Sequence, residues 1–118
     1  MKLSIIVATY NAEKYFERLL RSIACEAIEN YHDIEVIVID GNSKDGTVEL
    51  IRRYSNCITF WISEPDEGIY DAWNKGLKQS TGDWIMFLGA DDYLKANALA
   101  AYVSHFEKLK DRDTVELI

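Results

Sequence analysis

The sequence has few of the residues that make a chain fibrous, disordered or cross-linked. One proline and six glycines among 118 residues exclude collagen-like and low-complexity architectures. The two cysteines show no CxxC or Cys/His spacing, which excludes a disulfide scaffold and a zinc finger. Such sparse cysteine usage is typical of the reducing cytoplasm. We therefore expect a globular cytoplasmic protein.

Positive charge and long hydrophobic runs are also scarce. Thirteen Lys and Arg stand against twenty Asp and Glu, and the resulting net charge of −7 disfavours binding to nucleic acid. Apolar runs stop well short of the roughly 20 residues of a membrane helix, and the N-terminus has no signal-peptide pattern. We expect no integral membrane segment, and at most a peripheral position at the inner face of the membrane for the full-length protein.

Short apolar segments alternate with amphipathic ones along the chain. Residues 3–9, 35–40, 58–63 and 84–88 are predicted strands, because they are rich in β-branched and aromatic residues. Between them, apolar residues recur at helical spacing, with Asn11 as the predicted cap of the first helix. Strands that alternate with helices predict an α/β fold, with a mostly parallel sheet flanked by helices on both faces.

The size and the end of the chain bear on its domain organisation. A length of 118 residues is close to the commonest size of one domain, so residues 1–118 are predicted to form a single domain. A fourth helix is predicted around residues 99–109, followed by strand-like residues 114–118. Because the chain stops in a strand, we expect this domain to be incomplete.

Acidic residues follow the ends of three predicted strands. Asp40 ends the second strand, Asp66 follows the third, and Asp91 and Asp92 follow the fourth, while Tyr10 follows the first. The carboxyl ends of parallel strands form the ligand-binding edge of an open sheet. Carboxylates gathered there repel one another by roughly 4 kcal/mol per pair at 4 Å and an effective dielectric near 20. A bound cation relieves this repulsion.

The kind of cation and ligand follows from the residue types. Oxygen ligands without nearby His or Cys select a hard ion, Mg²⁺ or Mn²⁺, which usually completes its coordination with water and phosphate oxygens. The sequence contains neither GxGxxG after the first strand nor GxxxxGK[ST], so no glycine loop is expected to hold phosphates. These features predict a metal-bound diphosphate at the sheet edge.

Four segments in the same order, residues 4–11, 38–47, 63–76 and 82–92, carry a resemblance that covers the whole chain. The sequence resembles the N-terminal, nucleotide-sugar-binding half of a family 2 glycosyltransferase, which implies the Rossmann-like GT-A fold. Residues 66–76 resemble a branch associated with bacterial polysaccharide assembly. In many relatives an arginine stands where this chain has Trp73, whose place on the apolar helix face favours core packing over sugar stacking.

The resemblance implies a nucleotide pocket at the ends of the first two strands. Tyr10 is expected to stack on the base, with Ala8 and Thr9 as the neighbouring wall. Asp40 is expected to accept a hydrogen bond from the base, and Glu13 to lie near the nucleotide. The residues alone also fit other roles, with Tyr10 as a core tyrosine, Asp40 as a turn cap and Glu13 as an acid favoured by a helix N-terminus.

The resemblance also implies the catalytic end of the site. Asp91 and Asp92 match the end of a DXD-type motif, in which Asp92 is the expected metal ligand and Asp91 contacts ribose or metal-bound water. Gly89 stands where relatives often have an acid. Asp66 and Lys75 are expected to face donor or acceptor, with Lys75 near the phosphates. From the residues alone, the Asp pair is equally an acidic turn and Lys75 a solvated lysine.

The implied activity is inverting transfer of a sugar from a nucleotide diphosphate donor, preferably UDP-linked, to an acceptor hydroxyl. The acceptor is expected to be a glycan, a lipid-linked molecule or another hydroxyl compound in cell-surface polysaccharide biosynthesis. Mn²⁺ or Mg²⁺ is expected to stabilise the leaving diphosphate, and the general base is expected beyond Ile118.

Two other functions stay open from the sequence. One is a non-catalytic nucleotide-sugar-binding or interaction module, which the residues present do not distinguish from the donor half of an enzyme. The other is a phosphoreceiver signalling domain, which is less favoured. Such a domain needs an acidic pair directly after the first strand, where this chain has Thr9, Tyr10 and Asn11.

Overall fold

The computed structural model describes residues 2–30, 34–91 and 116–117. The predicted fourth helix lies outside these residues. The elements follow one another in the order β1 (Leu3–Thr9), α1 (Phe16–Asn30), β2 (Ile34–Asp40), α2 (Thr47–Arg53), a 3₁₀ turn (Ser55–Cys57), β3 (Phe60–Ser63), α3 (Ile69–Gln79), β4 (Trp84–Gly89) and β5 (Glu116–Leu117).

The strands form one sheet in the order β3-β2-β1-β4-β5, and every neighbouring pair is parallel. The predicted α/β class with a parallel sheet is confirmed. From β1 the chain first adds β2 and β3 on one side and then β4 and β5 on the other. The strand order therefore reverses between β1 and β4, which is where open parallel sheets bind their ligands.

Helices cover both faces of the sheet, as predicted. The core on one face joins α1 and α2 to the sheet through buried apolar residues that include Phe16, Leu19, Ile51 and Val38. The core on the other face joins α3 to the sheet through Ala72. Right-handed crossovers explain this division, since a chain that changes its direction of travel along the sheet must cross on the opposite face.

The sequence of β1 explains its central place. All seven of its residues are buried. Ile5 and Val7 belong to the core under α1 and α2, whereas Ile6 and Ala8 belong to the core under α3. A nearly continuous apolar strand is therefore required, because side chains of both faces leave water.

The starts of the first helix and of the third strand differ from the sequence prediction, and β2 and β4 are each one residue longer than predicted. Asn11 does not cap the first helix, which begins at Phe16. Its backbone has a positive φ of 46°, and its side-chain oxygen accepts a hydrogen bond from the Lys44 N–H at 2.8 Å. The third strand begins at Phe60 rather than residue 58, after the 3₁₀ turn that follows α2. Among the described helices, none has the length and apolar character needed to span a bilayer.

Candidate functional site

The carboxyl ends of the strands meet at one edge of the sheet. In the register, Thr9 lies opposite Asp40, Asp40 opposite Ser63, and Ala8 opposite Gly89. Outside these ends is an open cleft of about 430 Å³, a volume within the usual range of small-molecule sites. Its lining consists of Tyr10, Gly41, Asn42, Lys44, Pro65, Asp66 and Gly68. We call this space the cleft.

Asp40 lies beneath the cleft and is completely buried. Its Oδ1 accepts hydrogen bonds from the hydroxyls of Thr9 at 2.7 Å and Ser43 at 2.5 Å. Its Oδ2 accepts the Ser43 N–H at 2.8 Å and the Ser63 hydroxyl at 2.7 Å. A carboxylate offers about four acceptor positions, so all are in use. Asp40 thus joins the ends of β1, β2 and β3, and the base contact implied by the resemblance stays a prediction.

Of Ala8, Thr9 and Tyr10, which were predicted to form the base pocket, only Tyr10 lines the cleft. Its side chain is 62% exposed and forms part of the lining. Thr9 and Ala8 are buried in the strand, and Thr9 is bonded to Asp40. The exposed ring offers an apolar face to a ligand, whereas the side chains of Ala8 and Thr9 are buried and do not line the cleft. Their predicted roles in nucleotide binding stay predictions.

Glu13 fastens the loop after β1 to the start of α2. Its Oε2 accepts the Gly46 N–H at 2.7 Å, and its own N–H donates to Asp45 Oδ2 at 3.2 Å. Partial desolvation acts to raise the pKa of Asp45, but hydrogen bonds from Thr47 and from the Glu13 N–H lower it overall. Glu13 is not among the residues that line the cleft. The structure thus gives it a role in joining two loops, and its predicted proximity to a nucleotide stays a prediction.

Asp66 lies on the cleft wall formed by the β3–α3 loop. Its Oδ1 accepts the Gly68 N–H at 3.1 Å, which closes a short side-chain turn. A Cβ at Gly41 would lie 2.9 Å from Oδ2 of Asp66, so glycine at position 41 leaves room for this carboxylate. The structure thus places the predicted Asp66 in the same lining as Tyr10.

Lys75 holds the same loop from the side of α3. Its Nζ donates to the Pro65 carbonyl at 2.9 Å and forms ion pairs with Glu64 at 3.2 Å and Asp71 at 3.6 Å. Desolvation opposes the charged form, but the hydrogen bond to Glu64 and the charges of Asp71 and Glu64 raise the pKa of Lys75. Lys75 does not line the cleft, and its predicted contact with phosphates stays a prediction.

Asp91 follows β4 at the same edge of the sheet. Its carbonyl accepts a hydrogen bond from Arg18 Nη2 at 3.2 Å, and the residue is exposed. Such an exposed carboxylate fits the hard oxygen ligands that Mg²⁺ and Mn²⁺ prefer. Asp92, the predicted metal ligand, lies outside the described residues. Within residues 2–30 and 34–91, no group of three or more His, Cys, Asp or Glu is placed to hold a metal.

Sequence reasoning overlooked the contribution of the loop after β2. Gly41 and Lys44 line the cleft, and Ser43 supplies two of the four hydrogen bonds to Asp40. The sequence of this loop, which is rich in Gly, Asn, Ser and Asp, predicts only a turn. Their position directly after a strand end, at the ligand-binding edge, was the signal that could have identified them.

Residues 4–115 match the sequence profile of Glycosyl transferase family 2. The chain belongs to this family. Poly(ribitol-phosphate) beta-N-acetylglucosaminyltransferase TarS of Staphylococcus aureus is 35% identical over 102 residues, which are 84% of this chain and 18% of TarS. The PGL/p-HBAD biosynthesis glycosyltransferase of Mycobacterium tuberculosis is 33% identical over 116 residues, 95% of this chain and 44% of that protein.

Solved structures of glycosyltransferases share the fold of this family 2 chain. The crystal structure of S. aureus TarS 1-349 in complex with UDP-GlcNAc has a TM-score of 0.80 and 32% identity, covering 92% of this chain and 32% of that one. The mannosyltransferase PcManGT from Pyrobaculum calidifontis, in complex with GDP-Man and Mn²⁺, has a TM-score of 0.75 and 29% identity. The match covers 86% of this chain and 31% of PcManGT. The GT-A fold implied by the resemblance is confirmed. The chain spans less than half the length of these relatives.

Proposed function

We propose that this chain forms the nucleotide-sugar-binding half of a glycosyltransferase, which transfers a sugar from a nucleotide diphosphate to an acceptor hydroxyl with inversion. The observation that carries the proposal is the cleft in a family 2 domain: an exposed aromatic ring, Tyr10, lines a cleft at the carboxyl ends of β1, β2 and β3. Similar chains, TarS and PcManGT, bind UDP-GlcNAc and GDP-Man respectively.

Residues in and around the cleft have different proposed roles in binding the donor. Tyr10 stacks on the base, and the hydrogen bonds of Asp40 keep the strand ends beneath it fixed. We propose that Asp91 contacts the ribose or metal-bound water, and that Asp92 is the ligand of Mn²⁺ or Mg²⁺. When bound, the divalent ion neutralises the charge that develops on the leaving diphosphate. A general base removes the proton of the attacking hydroxyl; we propose that it comes from sequence beyond Ile118.

The biological setting is proposed from the same relatives. The TarS name specifies poly(ribitol-phosphate) and N-acetylglucosamine, and the mycobacterial name specifies PGL/p-HBAD biosynthesis. The complexes of TarS with UDP-GlcNAc and with UDP support a UDP-type donor. We propose a glycan or lipid-linked acceptor in cell-surface polysaccharide biosynthesis, which the poly(ribitol-phosphate) of the TarS name supports. The predicted cytoplasmic location stays a prediction.

Calorimetric titration with UDP, GDP and dTDP, with and without Mn²⁺, tests the donor site. We expect Mn²⁺-dependent binding that Asp92→Ala weakens at least about tenfold, because the diphosphate loses its charge partner. We expect Tyr10→Ala to weaken binding by roughly tenfold, since stacking of a base on an aromatic ring contributes about 1–3 kcal/mol.

Tyr15→Ala provides the matched control for Tyr10→Ala. Tyr15 is 55% exposed, close to the 62% of Tyr10, but it does not line the cleft. Binding that needs no metal and survives Asp92→Ala and Tyr10→Ala would refute the site. Transfer assays on a form that continues past Ile118 then distinguish an enzyme from a non-catalytic nucleotide-sugar binder.

A further inference from the structure

The β3–α3 loop, residues 64–68, forms one wall of the cleft. Its lining residues are Pro65, Asp66 and Gly68. At the start of the loop, the Glu64 N–H donates to the Asp40 carbonyl at 3.0 Å, which joins the loop to β2. At its end, Gly68 has a positive φ of 117°, a conformation that favours glycine. The shape of this wall therefore depends on how the loop is held between its two ends.

Two charged side chains of α3 contact this loop. The side chain of Lys75 is only 23% exposed, and its Nζ donates to the Pro65 carbonyl at 2.9 Å and pairs with Glu64 at 3.2 Å. The same Nζ lies 3.6 Å from Oδ2 of Asp71, which itself accepts the Glu67 N–H at 2.9 Å. Lys75 and Asp71 thus form one connected network that reaches three residues of the loop.

The surroundings of the Lys75 ammonium group disfavour a phosphate contact. The group has three N–H donors, and one carbonyl and two carboxylates lie within 3.6 Å of its nitrogen. A phosphate would have to compete with these acceptors, and the charges of Glu64 and Asp71 would repel it. Lys75 is also not among the residues that line the cleft. Its contacts therefore indicate a role in holding the loop.

We propose that Lys75 is a positioning residue, which together with Asp71 ties the β3–α3 loop to α3 and keeps one wall of the cleft in its binding conformation without touching the phosphates. The inference rests on the proposed function, because this wall affects binding only if the cleft holds a nucleotide. Without the bridge, the loop has more freedom in the unbound chain. Ordering it then costs conformational entropy each time a ligand binds.

Titration of uridine, UMP and UDP, each with Mn²⁺, separates positioning from a phosphate contact, because the three ligands differ only in their phosphates. Lys75→Met keeps an unbranched side chain and removes the cation. We expect it to weaken all three ligands by the same factor, roughly three- to tenfold, since the loop lines the same cleft as Tyr10, the proposed partner of the base. A phosphate contact predicts instead no loss for uridine and a loss that grows from UMP to UDP.

Three further variants separate the bridge from charge and from folding. Lys78→Met removes the same charge from an exposed position in the last turn of α3 and should leave all three affinities unchanged. Lys75→Arg keeps a cation that can donate to the Pro65 carbonyl and should recover most of the affinity. Asp71→Asn keeps an oxygen for the Glu67 N–H but loses the charge. Combined with Lys75→Met, it should weaken binding no further, because both changes break the same contact.

Each outcome decides the inference, with every variant titrated well below its melting temperature. Wild-type affinities in Lys75→Met, or a loss confined to UMP and UDP, overturn it. Equal weakening by Lys78→Met, no recovery in Lys75→Arg, or losses that add in the double variant with Asp71→Asn also overturn it. These results leave nucleotide binding by the wild-type chain intact. If the wild-type chain binds neither uridine, UMP nor UDP, the proposed function fails as well, so the two failures are distinguishable.

Discussion

Glu35 and Asp40 are buried carboxylates near opposite ends of β2, and each is surrounded by hydrogen-bond donors. Glu35 accepts hydrogen bonds from the Ser4 hydroxyl at 3.0 Å and the Thr81 N–H at 2.8 Å, and its ion pair with Lys2 measures 3.4 Å. Through these contacts it joins β1 and β2 to the segment before β4. Glu35 therefore stabilises the end of the sheet away from the cleft, and Asp40 stabilises the strand ends next to the cleft.

Glu35→Gln tests the first of these roles. Burial acts to raise the pKa of Glu35, but hydrogen bonds from Thr81 and Ser4 and the charge of Lys2 lower it below its ordinary value of 4.5. A lowered folded-state pKa means that the stabilisation is complete above the ordinary pKa and is lost as the pH falls through the folded-state value. We expect the variant to lose about 1–3 kcal/mol at pH 7 and less near pH 4, by urea unfolding.

Glu49→Gln serves as the control for Glu35→Gln. The Glu49 side chain is 73% exposed and pairs with Arg52 on the helix surface, so its loss should change stability by less than about 0.5 kcal/mol. Equal effects of the two substitutions, or no pH dependence of the difference at Glu35, would contradict the role given to Glu35.

Single residues also show what a sequence does not disclose. Asp40 was identified from its place at the end of a strand. The hydrogen bonds that fill the acceptor positions of its carboxylate come from Thr9, Ser43 and Ser63, which belong to three separate segments. Lys75 was predicted to approach phosphates, although its charge is already engaged by the Pro65 carbonyl and two acids. Residue type and position were enough to predict that Asp40 lies at the ligand-binding edge of the sheet. The hydrogen-bond and ion-pair partners of Asp40 and Lys75 are visible only in the folded chain.

At the scale of elements, prediction succeeded where local pattern and burial agree. The bounds of β1 were predicted correctly, because a strand buried on both faces is apolar throughout. The start of α1 was not, since Asn11 is held by Lys44 and Ser43 from the loop after β2. An interaction between distant segments overrode a local capping preference, and a sequence pattern does not report such an interaction.

Helix α3 depends on close contact with the sheet. Gly76 and Ala72 form its buried face, and a Cβ at Gly76 would overlap the Ile6 side chain. In an exposed helix, Gly→Ala stabilises by up to about 1 kcal/mol. In α3 the added methyl group clashes with a packed strand, so the change in folding stability has the opposite sign. We expect Gly76→Ala to destabilise the chain by about 1–3 kcal/mol.

Urea unfolding of Gly76→Ala and Asn74→Ala measures this effect within one helix. Asn74 is exposed in the middle of α3, so alanine there should be neutral or slightly stabilising. If Gly76→Ala is as stable as Asn74→Ala, then α3 does not lie as close to β1 as the structure indicates.

At the scale of the whole molecule, the sheet order decides where a ligand binds. Alternation of strands and helices predicted the class, but not the order β3-β2-β1-β4-β5. That order places Asp40 and Asp91 after the two strands that flank β1, at the same edge of the sheet. The two residues therefore follow strands that end at one edge of the sheet, whereas the sharing of an ion by their carboxylates stays a prediction. Strand order depends on the packing of α1, α2 and α3 on opposite faces, which a local pattern does not reveal.

The net charge of the chain makes a final prediction about the proposed diphosphate. A charge of −7 repels an anionic nucleotide, and salt weakens this repulsion because the Debye length is about 10 Å at 0.1 M and about 3 Å at 1 M. Without Mn²⁺, we expect affinity for UDP to rise by up to about tenfold as NaCl increases from about 20 mM to about 300 mM. With Mn²⁺, the ligand charge is largely offset, and the salt dependence of UDP affinity should be much weaker.

Uridine, which has the same base and no charge, is the control and should bind independently of salt. If the metal-free affinity for UDP falls with salt, a local cation such as Lys44 outweighs the net charge of the molecule.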